Sequence, residues 1–204
     1  MGYTHYWYRP TVINQTAFNR IVADFRRLVP VLEAVGIPLA GYDGRGSLSL
    51  TDEAIRFNGV AKCGHPEDHA VAIAWPTATA AGVRTNPLAD PKAGRWFAGA
   101  EIQTRACEGD CSHETFALIR TYTPKTWETP EKGLYFEFCK TAFKPYDVAV
   151  TAALVIAKHY LGDRLTVRSD GTLTHWQDAM MLCQIELNYG LGFGLDEEAE
   201  EATP

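Results

Sequence analysis

The sequence has no long hydrophobic run and no recognisable export signal. Its longest apolar stretch, residues 148–157, is far shorter than the roughly 20 residues that a membrane-spanning helix needs. The first seven residues contain no basic segment followed by an apolar run, and Gly2 does not open a myristoylation site. These absences predict a cytoplasmic protein with no membrane partner.

Cysteine is scarce, and its number is odd. The 204-residue chain has five cysteines, which is not the dense, even set of a small secreted domain held together by disulfides. Reduced thiols are therefore expected, and cysteines that lie near one another become candidates for metal binding. The length is sufficient for one domain with a well-developed core, or at most for two small domains.

The sequence has no excess of positive charge. The formal net charge is −6, which argues against general binding to nucleic acid. Part of this acidity lies in residues 196–204, which contain one aspartate and four glutamates. We expect residues 1–195 to form a single domain and residues 196–204 to be an acidic disordered tail.

The common enzyme signatures are missing as well. There is no His-Glu-x-x-His motif, no Gly-x-Ser-x-Gly elbow, no dinucleotide-binding glycine fingerprint and no Walker motif. The motifs therefore leave open whether the chain is an enzyme.

What the sequence contains is a mixture of strand and helix patterns. Alternating residues predict a strand at 3–8, and apolar residues at helical spacing predict a helix over 18–32, capped by Asn14 or Thr16. Short strand patterns follow at 54–60, 70–75, 100–105, 116–122 and 134–138. Residues 76–98 have no steady period and are interpreted as a loop excursion from the domain.

The C-terminal third has the clearest pattern. Between Pro145 and Gly162 the residues are apolar on nearly all sides, which predicts a central, buried helix. A strand at 165–168 and a last helix, opened by a capping box from Thr174 to Gln177, follow. Together these patterns predict a single α+β domain whose mostly antiparallel sheet is packed by about three helices.

The loop before the buried helix has the residue types of an anion site. Lys140, Thr141 and Lys144 precede a helix N-terminus, whose unpaired N–H groups and partial positive charge favour an anion. We therefore predict binding of a small anionic, nucleotide-like ligand there. The glycines of a phosphate loop are missing, so the alternative is a structural loop with solvated lysines. The candidate ligand contacts are His5, Tyr6, Asn58, Cys139, Lys140, Thr141, Lys144, Tyr146, Asp147 and Asp170.

Cys139 lies in the same loop and raises the question of a catalytic thiol. Two nearby lysines and a helix start would lower its pKa, and His113 or His159 would have to act as the base. A buried structural cysteine at the end of a strand is the commoner arrangement.

A second group of residues has the chemistry of a metal site. Cys107 and Cys111 are separated by three residues and followed by His113, and Cys63 and His65 form a pair upstream. Thiolates and imidazoles from two loops can make a tetrahedral zinc site, provided that the flanking strands pair. The spacing is not that of a zinc ribbon, so free thiols in surface loops are the alternative.

Several short blocks occur together over most of the chain. They are Met-Gly-Tyr-Thr-His-Tyr-Trp at 1–7, Phe-Asn-Gly at 57–59, Glu-Thr-Phe at 114–116, Phe-Cys-Lys-Thr at 138–141, Lys-Pro-Tyr-Asp at 144–147, Lys-His at 158–159, Ser-Asp-Gly at 169–171 and Tyr-Gly at 189–190. In these blocks the chain resembles a family of uncharacterised phage and bacterial proteins. No activity is established for that family, so the resemblance implies no catalytic residue. Cys63, Cys107 and Cys111 lie outside the shared blocks.

Three hypotheses follow from the sequence. The first is binding of the nucleotide-like ligand, the second is a phage protein-interaction module without chemistry, and the third is a cysteine- or metal-dependent enzyme. A preformed concave pocket would favour the first, and an exposed apolar patch would favour the second.

Overall fold

A computed structural model describes residues 2–73 and 103–196. The predicted excursion at 76–98 lies outside the described residues, as does the predicted tail after Asp196. Asp196 itself belongs to the fold, because its N–H donates to the Val167 carbonyl and its carboxylate lies 2.8 Å from the ammonium of Lys158.

The described strands form three antiparallel sheets. They are β1 (Thr4–Arg9), β2 (Leu39–Ala40), β3 (Ser49–Leu50), β4 (Ala54–Gly59), β5 (Ala70–Ala72), β6 (Thr104–Ala106), β7 (Phe116–Ile119), β8 (Tyr135–Lys140) and β9 (Thr166–Ser169). One sheet has the order β8-β1-β9. In the second sheet β4 pairs with β2, β3 and β7, and the third consists of β5 and β6.

Three α-helices lie among the described residues: α1 (Gln15–Ala34), α2 (Asp147–Leu161) and α3 (Gln177–Leu187). The Asn14 side chain accepts the first free N–H groups of α1, as one of the two predicted caps. The predicted capping box at 174–177 is wrong. Thr172 and His175 form the box instead, because Thr172 has the extended backbone of an N-cap and Thr174 already lies inside a short 3₁₀ turn.

Helix α2 is the centre of the core. Twelve of its fifteen residues are buried, and α1 and α3 both pack against it. This confirms the α+β class and the central buried helix that the apolar pattern predicted. No helix within residues 2–73 and 103–196 combines the length and the apolar character needed to cross a bilayer.

A chain of aromatic rings connects the helices to the sheets. Phe25 of α1 stacks on Phe57 of β4 at 4.9 Å between ring centroids, and Phe57 lies 5.0 Å from Phe116 of β7. Phe116 in turn lies 5.3 Å from Trp7 of β1. Because these rings belong to four elements, the two larger sheets share one core with the helices.

Candidate metal centre

Four side chains from two loops meet in a cluster. One ligand atom from each of Cys63, His65, Cys107 and Cys111 lies within 4.8 Å of all the others. The Cys107 sulfur is 3.3 Å from that of Cys63 and 3.2 Å from that of Cys111. The His65 Nδ1 is 3.7 Å from the Cys107 sulfur and 3.4 Å from the Cys111 sulfur. We call these residues the four-ligand cluster.

The dimensions of the four-ligand cluster suit a metal ion with four ligands. With metal–sulfur bonds of about 2.3 Å in a tetrahedron, neighbouring ligand atoms are about 3.5–3.8 Å apart. The sulfur–nitrogen distances of 3.4 and 3.7 Å fall close to this range. The sulfurs, at 3.2 and 3.3 Å, would need to separate by about half an ångström. The other two pairs, Cys63 with His65 and Cys63 with Cys111, lie within 4.8 Å, so the cluster could hold a metal ion after its side chains adjust.

Backbone packing brings the two loops together. Cys63 and His65 follow β4, and Cys107 and Cys111 follow β6. The Cys107 N–H donates to the carbonyl of His69, 2.8 Å away, which extends the β5–β6 pairing to the cluster. A side chain at Gly59 would place its Cβ 1.9 Å from the Cys111 carbonyl oxygen. Glycine is therefore required where β4 passes beneath the second loop.

Lys144 supports the four-ligand cluster from the loop before α2. Its ammonium donates to the Cys107 carbonyl at 2.7 Å and to the Glu108 carboxylate at 2.8 Å, and its side chain is almost fully buried. Three thiolates and a neutral imidazole around a divalent ion carry a net charge of −1. A buried lysine next to this charge would offset it. Sequence reasoning placed Lys144 in an anion site and did not connect it with the cysteines.

The three cluster thiols differ in their surroundings. Burial raises the pKa values of Cys107 and Cys111. Burial would also raise the pKa of Cys63, but hydrogen bonds from the His65 N–H and from the other thiols outweigh it and lower that pKa. Because metals bind the thiolate form, binding at this cluster would release protons.

His113, the fifth predicted metal ligand, is not in the cluster. Its Nδ1 lies 2.9 Å from the Lys140 carbonyl, and its side chain is exposed. Its N–H donates to the Asn58 side chain at 3.1 Å, which holds this part of the chain along β4. His65 and His113 each lie two residues from a cysteine, so the sequence spacing could not distinguish them.

The predicted anion-binding loop is filled by its own side chains. The Thr141 hydroxyl donates to Asp147 at 2.6 Å, and Lys144 is turned toward the four-ligand cluster. Lys140 is exposed on the other side, with its ammonium 5.7 Å from the centre of the Phe138 ring. The three groups therefore do not face one hollow, which corrects the predicted geometry. The negative charge at the start of α2 is supplied by Asp147 itself.

Asp147 is the centre of a buried polar network. Its carboxylate lies 2.7 Å from His5 Nε2 and 3.1 Å from Arg105 Nε, and Arg105 also contacts the carboxylate of Asp178. Burial alone would raise the pKa of Asp147, but His5 and Arg105 outweigh it and hold this pKa below its usual value. The network joins β1, β6, α2 and α3, four elements far apart in the sequence.

His5 also contacts Ser169, which gives a serine, histidine and aspartate in line. The His5 Nδ1 is 3.0 Å from the Ser169 hydroxyl oxygen. The His5 side chain has no exposed surface, and Asp147 is already neutralised by Arg105. These features describe a structural joint between strands and helix rather than a catalytic triad open to substrate.

Three further predicted contacts are occupied within the fold. The Asn58 amide donates to the His113 carbonyl at 2.9 Å, and the Tyr146 hydroxyl donates to the Glu114 carbonyl at 2.7 Å. Cys139 is buried, with its sulfur 3.5 Å from the same Glu114 carbonyl. Burial raises the pKa of Cys139, which is the opposite of the lowering expected from nearby lysines.

Two of the predicted contacts, Tyr6 and Asp170, border a hollow. Their side chains are joined by a hydrogen bond of 2.6 Å at the edge of a cavity of about 500 Å³. The hollow is also lined by Tyr8, Phe136 and Arg168, which sequence reasoning did not select. The signal for them was the alternation along β1, β8 and β9, which places these side chains on the face opposite the core.

Comparisons with known proteins give no independent assignment. The resemblance to phage and bacterial proteins stays a prediction. Searches against protein-family models, curated proteins and solved structures found no match for this chain.

Proposed function

We propose that this chain binds one zinc ion at the four-ligand cluster and that the ion stabilises the fold. The observation that supports this is the meeting of three thiols and one imidazole, with all four ligand atoms within 4.8 Å of one another. Thiolate and imidazole are the ligands that zinc favours, and three cysteines with one histidine is a usual structural set.

A structural role is favoured over catalysis by the number of protein ligands. Catalytic zinc normally keeps one position for water or substrate, whereas four protein ligands fill a tetrahedral site. Cys63 and Cys107 are 44 residues apart in sequence, so a shared ion would close a long loop. The ligands are dispersed in the unfolded chain, and zinc binding would therefore add to the free energy of folding.

Protein purified without a chelator is expected to retain about one zinc ion per chain after dialysis. Inductively coupled plasma mass spectrometry on protein of known concentration measures this directly. Finding no metal, or finding iron in place of zinc, would contradict the proposal.

Two histidine substitutions provide a matched comparison of ligands. His65→Ala removes a cluster nitrogen and is expected to lose most of the zinc, as is the double variant Cys107→Ser/Cys111→Ser. His113→Ala removes an exposed imidazole outside the cluster and should keep the full equivalent. Addition of a chelator should lower the melting temperature of the wild type and of His113→Ala. It should not lower the melting temperature of His65→Ala further, because that variant is expected to hold little zinc. Equal zinc contents in the two histidine variants would show that the ligands are wrongly assigned.

A further inference from the structure

The outer face of the β8-β1-β9 sheet is aromatic. Tyr6 lies opposite Phe138 in the strand register and Tyr8 lies opposite Phe136, so four rings are grouped on one face. Phe136 is 45% exposed and Phe138 is 47% exposed. The Phe136 ring lies 6.0 Å from Tyr6, nearly parallel to it, and 5.4 Å from Tyr8. Phe136 and Phe138 therefore expose aromatic surface beside the partly buried Tyr6 and Tyr8, which makes this face a candidate binding surface.

Part of this face is walled into a hollow. Leu195 and Asp196 lie along the free edge of β9, where the Asp196 N–H donates to the Val167 carbonyl. With Tyr6, Tyr8 and Phe136 on the other strands they enclose about 500 Å³. This volume is in the usual range of small-molecule sites.

Arg168 places a cation at the wall of the hollow. The Arg168 guanidinium lies 5.0 Å from the centre of the Tyr8 ring, and it pairs with the partly exposed Glu131 at 3.3 Å. Its Nη1 lies 3.4 Å from the Tyr8 hydroxyl, and its Nε is buried. An arginine with a long, partly exposed ion pair is suited to bind a phosphate, whose geometry matches the guanidinium.

Asp170 supplies acceptors close to the rings. One of its carboxylate oxygens accepts from the Tyr6 hydroxyl at 2.6 Å and the other accepts from the Thr4 N–H at 2.9 Å. A carboxylate can accept about four hydrogen bonds, so each oxygen of Asp170 can accept one more. Asp170 is also exposed, so a ligand can reach it. Two adjacent acceptors match a base with two adjacent donors. Among the neutral nucleobases, guanine offers this pair through its ring N–H and its amino group.

We propose that the outer-face hollow binds a guanine nucleotide. The base stacks on Tyr6 and Phe136, Asp170 accepts its two donors, and Arg168 holds the phosphate. The net charge of −6 favours a free nucleotide over a long nucleic-acid strand. This function is separate from zinc binding, and it moves the predicted nucleotide-like ligand from the start of α2 to the outer face of the sheet.

Isothermal titration calorimetry of the full chain as purified, with GMP as the ligand, tests the proposal. We expect saturable binding of one GMP per chain, and AMP should bind about tenfold more weakly or worse because its edge leaves Asp170 without the paired donors. Arg168→Ala should weaken GMP binding about tenfold or more. Asp170→Asn should abolish the preference for GMP over AMP. Lys140→Ala, which removes a cation from the same face outside the hollow, should change affinity less than about twofold.

Several results would overturn the proposal. They are no heat of binding with GMP, equal affinities for GMP and AMP, or sensitivity to Lys140→Ala without sensitivity to Arg168→Ala. Tighter binding of a guanine-containing pentanucleotide than of GMP would show that the site takes single strands instead. Zinc content and melting temperature are measured for every variant, so loss of the metal or of the fold is distinguished from loss of the nucleotide site.

Discussion

Replacing Arg105 with methionine is expected to lower the free energy of unfolding by about 3–5 kcal/mol. Arg105 is 1% exposed and contacts two carboxylates, those of Asp147 and Asp178, which are themselves buried. Methionine fills a similar volume but leaves both carboxylates without their shared cation. Removing one partner of a buried ion pair costs far more than the pair contributes net, because the remaining charge stays out of water.

Urea denaturation measures this change, with Arg56→Met as the matched control. Arg56 lies in β4 with its side chain exposed, so its replacement should change the free energy by less than about 0.5 kcal/mol. Arg105 lies two residues from Cys107, so zinc content has to be measured in the same sample. A loss below about 1 kcal/mol with zinc retained would mean that the network around Asp147 is not the buried charge cluster described above.

Leu154→Ala in α2 is expected to lower the free energy of unfolding by about 2–5 kcal/mol. Leu154 is fully buried in the helix against which α1 and α3 pack, so truncation removes apolar contacts and leaves a cavity. The neighbouring helices can collapse only partly into that space, since each is held by other contacts. Chemical denaturation at constant zinc occupancy gives the value.

Leu191→Ala is the matched control for this substitution. Leu191 is 56% exposed, so the same change in side chain should alter stability by less than about 0.5 kcal/mol. If Leu154→Ala and Leu191→Ala lowered the free energy of unfolding by the same small amount, α2 would not be the centre of the core.

The helices and most strands could be predicted from the sequence because their signals are local. The apolar run at 148–157 and the alternation at 3–8 each report burial through spacing alone, and α2 and β1 follow those patterns. Thr172 was missed as a cap because Thr174 offers the same residue type two positions later. Choosing between them depends on backbone angles that the residue types leave open.

The candidate metal ligands could be narrowed to five residues by their chemistry, but not to the four that meet in the structure. Cysteine and histidine residues that are close in sequence can be recognised as candidate ligands from the sequence alone. The choice of His65 over His113, however, depends on the path of two loops. That path is set by Gly59 and by the pairing of β5 with β6. Long-range contacts of this kind have no signature in local spacing.

The amino-acid sequence by itself determined the class of the fold, the buried helix and the residues that are candidates for metal binding. Spacing fixes which side chains avoid water, and residue type fixes which of them could bind a metal. Only the tertiary structure decided where charged groups point. Lys144 faces the four-ligand cluster and Lys140 faces the outer surface, although the two are four residues apart. The reason is that the chain turns between β8 and α2, and a turn separates neighbours in sequence while it brings distant residues such as Asp147 and Arg105 into contact.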